Sequence, residues 1–168
     1  MTLAPAAFVL LSVLATSAGS PRDVGSLASL VLRDQRGRPD SLRAHRGHVV
    51  LVTVVHVKRL RKVRGWEEAI HERLGDRVQY LRIADVPRKP AVSYEDVATK
   101  LRDRVPDEVS VLIDLEQRWA TSLGLDTDQP NLLVFDRAGR LVSSYRGRPD
   151  ELLVTYVARD LEELLAKP

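Results

Sequence analysis

His48-Val-Val-Leu-Val-Thr-Val-Val-His-Val57, HVVLVTVVHV, is a run dominated by β-branched side chains, and the next seven positions hold five cations: Lys58, Arg59, Arg61, Lys62 and Arg64. A nearly continuous apolar run of this length is the pattern of a strand covered on both faces, so it belongs in the middle of a sheet. The period then changes at once. Leu60, Val63, Trp66 or Ala69, Ile70 and Leu74 recur at helical spacing until Gly75, a residue type suited to closing a helix. The basic stretch therefore falls where a central strand hands over to a helix.

Downstream, Val78 to Ala84 (VQYLRIA) reads as a second strand. Ser93 is placed to cap a helix marked by Val97, Leu101 and Val105 and ended by Pro106. Ser110 to Asp114 is a short strand, and Gln117 to Leu123 a short helix stopped by Gly124. Asn131 to Asp136 and Arg140 to Arg146 make a hairpin around Arg137-Ala138-Gly139, where Gly139 supplies the positive φ of a tight turn. From Asp150 to Leu165, the residues Leu152, Leu153, Tyr156, Val157, Leu161 and Leu164 share one broad helical face.

Upstream, Leu27 to Arg33 is expected to form a strand, Gln35 to Pro39 a turn, and Ser41 with Leu42 a brief return. Residues 1–20 carry no charged side chain, and the apolar run Ala6 to Ala15 is followed by small residues. This is the pattern of a signal peptide cleaved near Ala18 to Ser20, although the n-region lacks Lys and Arg. The expected organisation is a signal peptide over 1–20 and one domain over 21–168, with a secreted or periplasmic mature chain. No later apolar run is long enough to span a bilayer.

The 168 residues contain no cysteine, so disulfides, thiolate metal ligation and thiol redox chemistry are excluded. Net charge is only +3, but residues 33–64 hold ten Lys and Arg against Asp34 and Asp40 alone. The chain is polarised along its length, which bears on its partners rather than on its fold. Aromatic content is 5%, with no series of aromatics interleaved among the cations, so nucleic acid is not the expected partner.

Alternating strands and helices followed by a hairpin and a helix define an α/β sandwich with a mixed central sheet flanked by helices. Four stretches, in order, carry a resemblance to the thioredoxin-like superfamily: LRDQRGRPDSLRAHRGHVVLVTVV, SVLIDLEQRWATSLGL, QPNLLVFDRAGRLV and the closing amphipathic helix. The sequence is most similar to the redoxin branch of peroxiredoxin-like and TlpA-like proteins, with its N-terminal β-hairpin. A smaller exported group that lacks the redox motif, the YtfJ-like proteins, also looks similar. The resemblance implies that the catalytic cysteines of such proteins would fall within Lys58 to Lys62, with Arg59 and Lys62 at the two sites. It implies that Pro130, after Gln129, stands for the cis-proline facing them. Neither Arg nor Lys replaces a thiolate nucleophile. The resemblance therefore argues for the fold and against thiol-disulfide oxidoreductase or thiol peroxidase activity.

The basic cluster has two readings. One is a solvated helix face whose long stems cover apolar neighbours. The other is a binding site at a helix N-terminus for an acidic protein or an anionic envelope component, with Arg36, Arg38, Arg43 and Arg46 adding to it if the hairpin lies near. His45, His48 and His56 are weak candidates for a metal site, lacking a carboxylate at ligand spacing. Asp85 ends a strand without an identifiable companion base, and Asp126 and Asp128 suit an Asx turn before Pro130. Trp66 and Trp119 read as core.

These features point to an exported, redox-inactive thioredoxin-like domain that acts as a binding module through Lys58, Arg59, Arg61, Lys62 and Arg64, without a cofactor. The alternatives are a His and carboxylate metal-binding protein or enzyme using the same crevice, and a structural subunit of an envelope complex.

Overall fold

Val50–His56 pairs on one side with Gln79–Asp85 in parallel and on the other with Asn131–Phe135 in antiparallel fashion, as a central strand should. A computed structural model describes residues 21–167, and the segment read as a signal peptide lies outside them. In chain order the elements are α1 (Pro21–Ala28), β1 (Leu32–Asp34), β2 (Pro39–Asp40), β3 (Val50–His56), α2 (Arg61–Leu74), β4 (Gln79–Asp85), α3 (Tyr94–Arg102), β5 (Leu112–Asp114), α4 (Arg118–Leu123), β6 (Asn131–Phe135), β7 (Leu141–Arg146) and α5 (Glu151–Ala166). The seven strands form one mixed sheet in the order β2-β1-β5-β4-β3-β6-β7.

The alternation of β3 distributes its side chains between two cores. Leu51 packs with Trp66 and Ile70 of α2 and Val157 and Leu161 of α5 on one face of the sheet. Val50, Val52 and Val54 pack on the other with Leu27, Trp119 and Phe135, beneath α1 and α4. Trp66 and Trp119 are both buried, as read from their spacing. A third cluster, Ala84, Val86, Val97, Leu101 and Ile113, seats α3 at the far end of β4 and β5.

Local chemistry sets the element ends. Ser93 Oγ accepts from Asp96 N at 3.1 Å, while the Asp96 carboxylate accepts from Ser93 N at 3.3 Å, a reciprocal cap that starts α3. The helix stops at Arg102, so Val105 lies beyond it. Gly75 and Gly124 end α2 and α4 with positive φ.

Both hairpins turn on the same five-residue pattern, Asp34-Gln-Arg-Gly-Arg38 and Asp136-Arg-Ala-Gly-Arg140. In the first, Asp34 Oδ1 accepts from Arg36 N and Arg38 N, and Oδ2 from Arg38 Nε at 2.8 Å. In the second, Asp136 Oδ1 accepts from Ala138 N and Arg140 N, and Oδ2 from Arg140 Nε at 2.8 Å. Gly37 and Gly139 take φ of 79° and 76°, which a Cβ would disfavour.

The N-terminal segment differs from expectation. Pro21–Ala28 is a helix, and of the strand anticipated over Leu27 to Arg33 only Leu32 and Arg33 are extended, in β1. Val24, Leu27 and Ala28 stand at i, i+3 and i+4, and that helical spacing docks α1 on the cluster containing Trp119. After β1, fully buried Gln35 donates Nε2 to Val109 O at 2.6 Å and accepts from Val111 N at 2.9 Å, stitching the first turn to the approach of β5.

Candidate functional site

The parallel strands β3, β4 and β5 end together, and the ladder places His56 opposite Asp85 and Asp85 opposite Asp114. Equivalent positions on neighbouring parallel strands face the same side, here the side of α4. Asp85 Oδ2 accepts from Gln117 Nε2 at 3.1 Å and Thr127 Oγ1 at 2.8 Å, and Asp114 Oδ2 accepts from Trp119 N at 2.9 Å. Each carboxylate is 1% exposed, and each has an Oδ1 without a hydrogen-bond partner among the described residues. Gln117 reaches Asp85 from a left-handed backbone conformation, φ 53°, which costs a non-glycine residue energy.

From the end of β3 the basic segment turns through a single 3₁₀ turn, Val57–Arg59, capped by His56 Nδ1 accepting from Lys58 N at 3.1 Å, and then enters α2. Leu60 offers α2 no side-chain cap, and its first turn holds no acid. The five cations divide here. Arg64 is engaged by Glu68 at 2.7 Å, whose hydrogen bond and charge raise the guanidinium further above its ordinary value. Lys62 Nζ donates to Asp128 O at 2.9 Å and Gln129 Oε1 at 3.3 Å. Lys58, Arg59 and Arg61 are exposed and have no side-chain partner among the described residues.

The Lys62 contacts hold the loop before Pro130 against the first turn of α2. The isomer differs from the cis bond that the resemblance implies. Lys89–Pro90 is the only cis peptide among the described residues, so the bond before Pro130 is trans. Trans is the ordinary preference of an X–Pro bond by about 0.5–1 kcal/mol. The approach to Pro130 is fixed by Asn131 Nδ2, which donates to the carbonyls of Asp126 and Gln129 at 2.8 and 3.1 Å. Asp126 Oδ1 accepts from Asp128 N, the Asx turn read from the sequence.

Arg36, Arg38, Arg43 and Arg46 do not join the cluster. β1 and β2 occupy the opposite side of the sheet, beyond β4 and β5, where Arg36 pairs with Asp107 and Arg38 with Asp34. Arg43 and Arg46 precede β3, roughly 20 Å from its basic end at about 3.3 Å per residue. The same strand separates the histidines: His45, on Asp40 at 3.0 Å, and His48 lie before β3, whereas His56 ends it. No group of three or more His or acidic side chains among the described residues is arranged to hold a metal.

Residues that sequence reading passed over complete the edge. Trp66 Nε1 donates to Gly147 O at 3.0 Å, and a Cβ on Gly65 would lie 3.2 Å from Pro149 Cγ, so the turn bearing exposed Arg148 packs on the first half of α2. Arg88 donates Nε and Nη2 to Glu116 O at 3.1 and 2.5 Å, joining the loops that follow β4 and β5. Neither arginine stands in a charge run, and only the tertiary structure brings them to this side.

The comparisons bear on the fold. No protein-family model and no curated protein matches the sequence. Among solved structures, the pneumococcal exposed lipoprotein thioredoxin Etrx1 of Streptococcus pneumoniae strain TIGR4 superposes with a TM-score of 0.63 at 18% identity, over 79% of this chain and 98% of its own. A protein assigned as the thiol:disulfide interchange protein DsbE of Chlorobium tepidum gives 0.64 at 15% identity, over 89% and 99%. Peroxiredoxin Q of Xanthomonas campestris gives 0.60 at 12% identity, over 84% and 95%. The fold is thioredoxin-like. Within it, this chain has Lys58 to Lys62 at the strand-to-helix junction and no cysteine anywhere. No helix among the described residues is long and apolar enough to cross a membrane.

Proposed function

We propose that this protein is an exported, thiol-redox-inactive thioredoxin-like domain that binds an acidic protein partner through the junction of β3 and α2. The observation that carries the proposal is the set of three exposed, unpartnered cations, Lys58, Arg59 and Arg61, at a helix start with no acidic residue in its first turn. A cation at that end of a helix is unfavourable by about 0.3–1 kcal/mol. Among the described residues the cost is offset by no hydrogen bond or ion pair of these side chains, and an approaching anion would relieve it. The apolar leader pattern over residues 1–20 supports export.

The test is binding of a fluorescent Glu- and Asp-rich peptide by the wild-type protein and by Lys58→Ser/Arg59→Ser/Arg61→Ser across ionic strength. The substituted protein retains its fold, binds at least tenfold more weakly, and shows a flatter dependence on salt. Equal affinity and equal salt dependence would refute the proposal.

A further inference from the structure

Beyond the carboxyl ends of β4 and β5 lies a cavity of about 270 Å³ lined by Val86, Pro87, Arg88, Ala91, Val92, Leu115 and Glu116. Its lining is mainly apolar, and Val92 remains 38% exposed within it. Val57 and Leu60, the apolar residues that carry the basic segment, pack against the same hydrophobic cluster as Val86, with Leu115 also packed against it. The cavity and the unpartnered cations thus lie along one side of the sheet.

The rim of the cavity is also cationic. Arg88 spends its hydrogen bonds on a carbonyl, while the Glu116 carboxylate is taken by Arg118 at 2.7 Å. Lys89, exposed in the same loop, has no side-chain partner among the described residues. An apolar recess with Arg88 in its wall and exposed Lys89 in the same loop, and with Lys58, Arg59 and Arg61 along the same side of the sheet, is complementary to an apolar group flanked by negative charge. Its volume falls below the range of about 300–1,000 Å³ typical of pockets for drug-sized ligands, so a single side chain fits it better than a whole small molecule.

Resting on the function proposed above, we infer that the partner presents an extended acidic peptide segment with one apolar anchor, and that this anchor enters the cavity over Val86, Pro87, Val92 and Leu115. Sheet geometry sets the spacing. From the end of β3 to that of β5 is two strand intervals, about 10 Å, which an extended peptide covers in three to four residues. Acidic residues three to four positions from the anchor meet Lys58, Arg59 and Arg61, and those nearer to it meet Arg88 and Lys89.

The experiment compares two peptides, identical in their Glu and Asp flanks, with Leu or Ser at the central position. They are titrated against the wild-type protein, the Lys58→Ser/Arg59→Ser/Arg61→Ser variant and Val92→Ser. The Leu peptide binds the wild type about tenfold more tightly than the Ser peptide, as burial of an aliphatic side chain requires. The preference shrinks in Val92→Ser and persists in the triple variant, where both peptides weaken together. Equal binding of the two peptides with retained salt dependence overturns the cavity assignment and leaves the acidic-partner proposal standing. Binding of neither peptide overturns both. If dodecanoate binds with the same sensitivity to both sets of substitutions while the peptides do not differ, the recess takes a lipid-like anion and the peptide assignment falls.

Discussion

Asp85 and Asp114 stand opposite each other at the ends of two parallel strands, both buried, and among the described residues neither is paired with a cation and each has one carboxylate oxygen lacking a donor. Two such groups on one face work against stability, because a buried polar atom without a hydrogen-bond partner keeps its desolvation cost. Asp85→Asn or Asp114→Asn alone supplies an amide that can donate to the remaining carboxylate. Either single substitution is expected to stabilise the fold by about 1 kcal/mol. The double substitution removes the acceptor, so its gain is less than additive. Urea denaturation of the four proteins checks this, and destabilisation by both single variants would contradict the account.

The two D-x-x-G-R turns make stability depend on acid. Burial by itself would raise Asp34, but the Arg38 side chain, the backbone N–H groups of Arg36 and Arg38 and the Ser110 hydroxyl outweigh it and hold the carboxyl below its ordinary value of 3.8. Asp136 behaves alike: burial raises it, and the backbone and side chain of Arg140 with Ala138 N bring it below 3.8. The folded state therefore binds these protons more weakly than the unfolded chain. Their stabilising contribution is complete above about pH 4 and falls away as pH drops through the depressed folded values. Asp34→Asn is expected to cost about 2 kcal/mol near neutrality and to flatten the acid limb of stability measured between about pH 5 and 2. An unchanged acid limb would remove the role given to the first turn.

Alkali acts through tyrosine. Burial, then the nearby charge of Glu67, pushes Tyr80 up to about 12, and burial with the hydrogen bond to Asp160 pushes Tyr145 up to about 12. Here the folded state holds its protons more tightly than the unfolded chain. The contribution is complete below pH 10, the ordinary phenol value, and is lost as pH rises through the folded values. A spectrophotometric titration should show two tyrosines ionising near pH 12, and Tyr145→Phe should delete one. The same variant loses the 2.5 Å bond to Asp160 and about 1 kcal/mol of stability. Ionisation of all four tyrosines near pH 10 would contradict both assignments.

The sequence revealed what local periodicity encodes. The run ending at His56, the helical spacing of Val63, Trp66 and Ile70, the cap at Ser93 and the turn at Gly139 all depend on neighbours a few positions away, and all stand in the structure. What depends on strand order was hidden. Arg36 and Arg38 are close in sequence to β3, yet the sheet sets them beyond β4 and β5. Arg88 and Arg148 are distant in sequence, yet lie on the same side as the β3–α2 junction. The α1 helix was obscured by its length, since eight residues offer two turns of periodicity and one of them is Gly25. The cis bond that the resemblance implied at Pro130 is absent, and no local pattern around Gln129-Pro130 distinguishes the two isomers.

The two amide bonds of Gln35 bear on how the chain assembles. Gln35 leaves the ribosome 74 positions ahead of Val109, the carbonyl it binds, and closing a loop of that length costs entropy before any contact returns it. Strand β1 is made early in synthesis yet has no ladder partner other than β2 until β5 exists. During synthesis, then, the first hairpin is an open edge until β5 arrives, and Arg36 and Arg38 in its turn place charge on that edge, the kind of side chain that disfavours pairing with a wrong strand.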